Sequence, residues 1–228
     1  MTFAGPEETI TGGRRKSVPM SAAWREFWRY PSPRIMATLL LTACACRLVA
    51  GGWRVSDAAV PVVAIAAFPF LEWIVHTGVL HWRPRRIGRV TIDPLLARKH
   101  RLHHADPRDV ALVFIPWKAL VWIVPTDTAI ALFAFPRIAT GLTFLVTVAA
   151  LGLGYEWSHY LIHTDYRPKS RIFRAVWRNH RLHHYKNEHY WFTVTTSGTA
   201  DRILRTYPDP AAVPASPTAR ALHAGAAN

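Results

Sequence analysis

Residues 138–163 read IATGLTFLVTVAALGLGYEWSHYLIH, an apolar run from Ile138 to Tyr155 that passes straight into Glu156-Trp157 and a histidine pair, His159 and His163. At 1.5 Å per residue in a helix, such a run is about long enough to cross a hydrocarbon core of roughly 30 Å. Three similar runs precede it: Ile35 to Val49, Ala58 to Val79, and one from near Val110 to Phe135. The first carries Arg47 and ends in Gly51-Gly52, so a short span or one ending at the interface is expected. Pro116 and Pro125 are expected to break or kink the third. Half of the 228 residues are apolar, and their gathering into runs predicts an all-α integral membrane protein with about four spans.

His159 and His163 form one of four clusters that hold ten of the twelve histidines. The others are His76 and His81 in HTGVLH, His100, His103 and His104 in HRLHH, and His180, His183 and His184 in a second HRLHH. Neutral imidazole is a good ligand for borderline transition metals, so ten of them together suit two ions without a thiolate. The clusters also repeat. Span two ends in Glu72-Trp73, a histidine pair, a basic linker and Lys99-HRLHH, and span four ends in Glu156-Trp157, a histidine pair, a basic linker and Asn179-HRLHH. Two such units facing one another would supply two ligand sets to one shared centre.

The spacings suit this. Residues i, i+3 and i+4 share a helix face, so each HRLHH segment presents three imidazoles together if helical, and His159 and His163 do the same. His76 and His81 are five apart, which a straight helix would splay by about 140°, so a helix end or bulge is expected near Gly78. A single histidine is ordinarily a hydrogen-bonded core or interfacial residue. Ten in a repeated arrangement beside a membrane would lack compensation, which a metal supplies. His189 is a borderline further ligand or orienting group, and His223 in the tail is expected to face solvent.

The carboxylates narrow the chemistry. Soluble di-iron bundles use two Glu-x-x-His motifs, whereas Glu156-Trp157-Ser158-His159 occurs here once, and there is no His-Glu-x-x-His zinc motif. The centre is therefore read as histidine-rich, with Glu72 and Glu156 orienting histidines rather than binding metal. Asp106, Asp109 and Asp165 are further orienting candidates, or else solvated charges and helix caps.

The net charge of +14 does not point to nucleic acid, because the basic residues are not spread as a groove-binding stripe. They precede span one (Arg14, Arg15, Lys16, Arg25, Arg29, Arg34), fill Arg83 to Arg108 between spans two and three, and follow span four from Arg167. By the positive-inside rule the N-terminus and all four histidine clusters are cytoplasmic, and the expected location is a bacterial cytoplasmic membrane. Anionic membrane lipids are natural partners for these charges. Cys44 and Cys46 are too close for an easy disulfide and read as small buried hydrophobes. Residues Met1 to Met20 lack the apolar region of a cleavable signal and fit a twin-arginine signal poorly. Three segments are expected: residues 1–34, basic, cytosolic and partly disordered; residues 35–207, the membrane domain; and residues 208–228, a disordered Ala/Pro-rich tail.

The order HxxxxH, HxxHH, HxxxH, HxxHH resembles the fatty acid hydroxylase and sterol desaturase superfamily. His183-His184-Tyr185-Lys186-Asn187 and the shape of Asp106 to Pro116 are most similar to its fatty acid 2-hydroxylase branch. The resemblance covers roughly Glu72 to Tyr207. It implies a dimetal centre under a cytosolic helical cap, with O₂ as co-substrate and hydroxylation of an unactivated C–H bond. The implied ligands are His76, His81, His100, His103, His104, His159, His163, His180, His183 and His184. Iron is the implied metal, and zinc also suits these donors. One departure concerns Thr193, where the family tends to have glycine, so the contour facing the substrate is expected to differ. The chain carries no fused haem domain, nucleotide fingerprint or iron–sulfur cysteine set, so an external electron-donor protein is implied, docking on the face with Arg83, Arg85, Arg86, Arg171 and Arg174. The same arginines suit lipid headgroups. The substrate implied is a fatty acyl chain entering from the bilayer. A sterol or carotenoid hydroxylase or desaturase would keep this site and change only the cleft. A membrane zinc hydrolase needs fewer histidines, and a metal carrier needs polar groups through its spans.

Overall fold

The computed structural model describes residues 17–223. The expected disorder of residues 1–16, and Arg14, Arg15 and Lys16 with it, lie outside these. A short helix, α1 (Met20–Phe27), precedes α2 (Pro31–Ala50), which Pro31 and Pro33 open at positions where a missing N–H costs nothing. α3 (Ala59–Val75) follows a single 3₁₀ turn and runs into a π-helical turn, His76–Leu80. A hairpin, β1 (Arg85–Ile87) and β2 (Val90–Ile92), leads to α4 (Leu95–Ala105). Then come α5 (Val110–Val113), α6 (Trp117–Phe133), α7 (Ile138–His163), α8 (Arg171–Tyr185) and α9 (Thr199–Ile203).

Among the described residues, four segments are long and apolar enough to cross a membrane: Pro31–Ala50, Val55–Leu80, Val110–Phe133 and Ile138–His163. The third is interrupted between α5 and α6 at Phe114 to Pro116, because proline removes a backbone donor there. Pro125 is accommodated within α6. α7 is the central helix and packs on α2, α3 and α6. Gly141 makes this possible, since a Cβ there would stand 1.7 Å from the Ala131 carbonyl oxygen of α6.

The first span is not shortened by Arg47. Its guanidinium is buried and bonds Asp57 at 3.0 Å, Thr143 at 2.9 Å and the Gly51 carbonyl at 2.6 Å. Arg137 and Thr140 complete this cluster on Asp57, at 3.0 and 2.9 Å, and so clamp α2, the 3₁₀ turn that leads into α3, and α7 at the end away from the histidines. Cys44 and Cys46 are free thiols on α2, Cys44 half-buried and Cys46 exposed, rather than buried.

At the histidine end, α7 spans 26 residues, or ~39 Å at 1.5 Å each, so its last turns reach past a core of roughly 30 Å. There α8 lies on the site with Val176, Asn179, His180, His183 and His184 buried, spaced i, i+3, i+4, i+7 and i+8 along one face. Ser170 caps α8 by accepting from the Phe173 N–H at 3.1 Å. Asp93 takes both oxygens to Arg101, at 2.8 and 2.6 Å, and so fixes the hairpin to α4.

The tail differs from its expected disorder. Residues 208–223 fold back over α4 and α8, burying Val213, Ala219 and Leu222. Ser216 N–H donates to the Lys186 carbonyl at 2.7 Å, and the Lys186 ammonium reaches the Pro210 carbonyl. Backbone groups supply most of this anchoring, which is why the Ala/Pro composition did not announce it.

Candidate metal centre

All ten clustered histidines meet where the C-terminal ends of α3, α4, α7 and α8 converge. Nine are buried and His81 is partly so. The expected bulge near Gly78 is the π turn, in which the His81 N–H bonds the His76 carbonyl at 3.0 Å. A π turn stacks i and i+5, so the two rings lie 5.0 Å apart on one side instead of splaying.

The donors sort into two groups of five. His76, His81, His100, His104 and His183 make one, and His103, His159, His163, His180 and His184 the other, with the donor nitrogens of each group within 4.8 Å of one another. In the first, Nε2 atoms of His76 and His100 stand 3.1 Å apart, His100 and His104 3.1 Å, His104 and His183 3.2 Å, and His183 and His81 3.2 Å. In the second, the corresponding separations are 3.2 Å for His103 and His163, 3.1 Å for His163 and His180, and 3.0 Å for His180 and His184. The groups touch: the His104 and His184 rings are 4.2 Å apart.

Backbone carbonyls fix several rings from behind. His76 Nδ1 meets the Phe192 carbonyl at 2.5 Å, His104 Nδ1 the Ala219 carbonyl at 2.7 Å and His183 Nδ1 the Tyr190 carbonyl at 2.8 Å. Each can only accept, so Nδ1 carries the proton and Nε2 is left as a free lone pair aimed inward. Trp191 sits between two of these carbonyls with φ +57°, a left-handed conformation that turns Tyr190 and Phe192 toward His183 and His76.

Burial, and then neighbouring imidazoles, push His81, His100, His103, His180, His183 and His184 well below the usual histidine range. Burial also takes His104 down to about 3. The rings are therefore neutral at ordinary pH, as ligation requires. Two sets of inward lone pairs at such separations fit two cations, and the donor set is nitrogen throughout.

The other sequence candidates fall elsewhere. Glu72 accepts from Thr195, N–H at 3.1 Å and hydroxyl at 2.8 Å, and Glu156 from Ser32 at 2.7 Å and the Ile115 N–H at 2.9 Å. Both carboxylates thus tie spans to adjoining backbone, and none of these bonds goes to a histidine. Asp106 is exposed and accepts from the Arg108 N–H, Asp109 caps α5, and Asp165 is exposed near Arg108. His189 is turned outward, its side chain 69% exposed and 3.5 Å from Glu188, so it is no eleventh ligand. His223 is not free in solvent: its Nε2 lies 3.0 Å from the His81 carbonyl.

Asp201 carries no spacing signal in the sequence, yet it is fully buried beneath the site. It accepts from the N–H groups of Phe192 and Thr193, both at 2.9 Å, and from the hydroxyls of Thr193 and Thr206 at 2.5 and 2.7 Å. Thr193 therefore anchors this segment by its hydroxyl as well as its N–H. Gly198, with φ +93° and its missing Cβ only 2.4 Å from the Tyr207 ring, opens the helix that carries Asp201.

The family model for fatty acid hydroxylase matches residues 61–206, a stretch that contains all ten clustered histidines. The chain belongs to the fatty acid hydroxylase family. A solved structure described as full-length Scs7p, with only its hydroxylase domain visible, has the same fold at a TM-score of 0.67 and 18% identity, over 83% of this chain and 69% of that one. No curated protein matches the chain. Family membership supports a lipid hydroxylase, an oxidoreductase with a histidine-rich metal site, and the observed bundle supplies both the spans and the site.

Proposed function

We propose that this member of the fatty acid hydroxylase family is an O₂-dependent dimetal hydroxylase of a fatty acyl chain, with all ten clustered histidines as ligands to two irons. One observation carries the reading: His76 of the first group lies at the end of an apolar cavity of about 440 Å³ that runs between α2, α3, α6 and α7. Met36, Phe68, Leu71, Val148 and Leu151 form much of its wall, which suits a methylene chain and excludes water. The ten histidines would hold two irons, which would supply the O₂ activation needed for attack on an unactivated C–H bond. The protein's part is to bring the chain to His76 past Leu80, Tyr155 and Phe192, and to keep bulk water out. A second cavity of about 360 Å³, lined by Lys99, Lys118, Trp117 and Tyr30, shares Ile115 with the first and suits a headgroup at the interface.

The basic residues around the histidine end support a cytoplasmic placement of the site and of the N-terminus. Arg83, Arg85, Arg86, Arg171 and Arg174 are all exposed and are the residues on which an acidic electron-donor protein would dock. Iron-loaded protein, supplied with lipid extract, O₂ and a reducing system, is expected to give oxygenated acyl chains by mass spectrometry, lost in His183→Ala. Tight stoichiometric metal with no O₂-dependent product would sink the reading.

A further inference from the structure

Asp127 is the carboxylate in the wall of the apolar cavity that makes no hydrogen bond or ion pair among the described residues. Three other charged residues within the spans bond neighbours: Arg47 bonds Asp57, Glu72 bonds Thr195, and one oxygen of Glu156 bonds Ser32. Asp127 is half-buried on α6, ten residues beyond Trp117, which is ~15 Å along the helix axis. The opposing walls end at a similar depth. Ala64 precedes His76 by twelve residues, ~18 Å, and Phe144 precedes Tyr155 by eleven, ~17 Å. Asp127 therefore stands at the far end of the cavity from the histidines, near the middle of the membrane.

A carboxyl there is costly unless something partners it. A donor carried by the cavity's occupant would do so. An ammonium would add a second buried charge, whereas a hydroxyl costs far less to desolvate and bonds a carboxyl in either protonation state. We propose that the cavity takes a long apolar lipid bearing a hydroxyl at the end remote from the reacting C–H bond, and that Asp127 accepts that hydroxyl. This rests on the cavity being the substrate's site, as in the proposed function. Asp127 then acts as a ruler: it binds the distal end and so selects which carbon lies beside His76.

The test is displacement of a fluorescent long-chain fatty acid from the full chain in nanodiscs, using two competitor fatty acids that differ only in a hydroxyl on the terminal carbon. Wild type should bind the hydroxylated competitor about tenfold more tightly, as a bond to a carboxylate of this kind is worth. Asp127→Leu should abolish or invert that preference, and Asp127→Asn, which keeps an acceptor, should retain part of it. An equal affinity for the two competitors in wild type, or the same preference in wild type and Asp127→Leu, overturns the inference and leaves the cavity reading standing. If Asp127→Leu does not fold, the wild-type ratio and Asp127→Asn decide. Failure of both competitors to displace the probe from wild type overturns the cavity reading, and this inference with it.

Discussion

His103 and His183 occupy the same position in their two HRLHH segments, and each belongs to the donor group built by the other half of the chain. Helix geometry accounts for the exchange. At about 100° per residue, i+4 lies some 40° to one side of i and i+3 about 60° to the other. His100 and His104 therefore stay with His76 and His81 while His103 turns to His163, and α8 repeats the arrangement with His183. Neither half can complete a centre alone.

This exchange predicts opposite phenotypes for two chemically identical substitutions. His103→Ala should weaken the centre that contains His163, and His183→Ala the one that contains His76. The loss should be at least the roughly 10–100-fold that follows from removing a mere orienting partner. Chelator competition on the loaded protein would resolve one weakened and one intact ion in each variant. Equal weakening of both ions by either substitution would contradict the grouping.

The parts of this site that obey local periodicity were legible in the sequence. The i, i+3, i+4 triples, the break between His76 and His81 and the apolar runs all follow from how a helix turns. The exchange of His103 and His183 was not, because it depends on how α4 and α8 face one another. Asp201 was hidden for a different reason. It acts on the backbone N–H groups of Phe192 and Thr193, and a backbone partner leaves no side-chain pattern. The Ala219 carbonyl behind His104 is hidden in the same way, inside a tail whose composition resembles a disordered one.

That tail yields a second prediction. A chain ending at Tyr207 loses the Ala219 carbonyl that holds the His104 ring and the His223 contact on the His81 carbonyl, both in the first group. Its metal affinity should fall by about 10–100-fold at that centre and less at the other. Competitive chelation of the truncated and full chains is the measurement. Unchanged affinity at the first centre would mean that the tail merely covers the site.

Acid should destabilise the metal-free fold. Seven of the clustered histidines, His81, His100, His103, His104, His180, His183 and His184, are held below the usual imidazole value of about 6.5, chiefly by burial, and His104 is held at about 3. The unfolded chain takes up these protons near pH 6.5, whereas the folded chain resists them. The associated stability is therefore fully present above about pH 6.5 and is lost as pH falls from there toward the lower folded values. Thermal midpoints of chelator-treated protein in detergent, taken from about pH 8 to about pH 4, should be level at first and then decline. A midpoint that stays level through that range would show that the imidazoles accept protons in place.

Asp201 links stability to the first centre, and the link can be separated into its parts. Asp201→Ala leaves the N–H groups of Phe192 and Thr193 without their acceptor in a buried site, at a cost of about 1–3 kcal/mol each. Asp201→Asn keeps the shape but turns an amide N–H₂ toward one of these donors, so it should also destabilise, by less. Because the Phe192 carbonyl holds His76 Nδ1, loosening this segment should weaken metal binding in the group of His76, His81, His100, His104 and His183 more than in the other. Thermal unfolding and two-site chelator titration on the same samples read both effects. A fall in thermal midpoint with both affinities unchanged would mean that Asp201 supports the cap alone, and that the His76 ring keeps its aim without it.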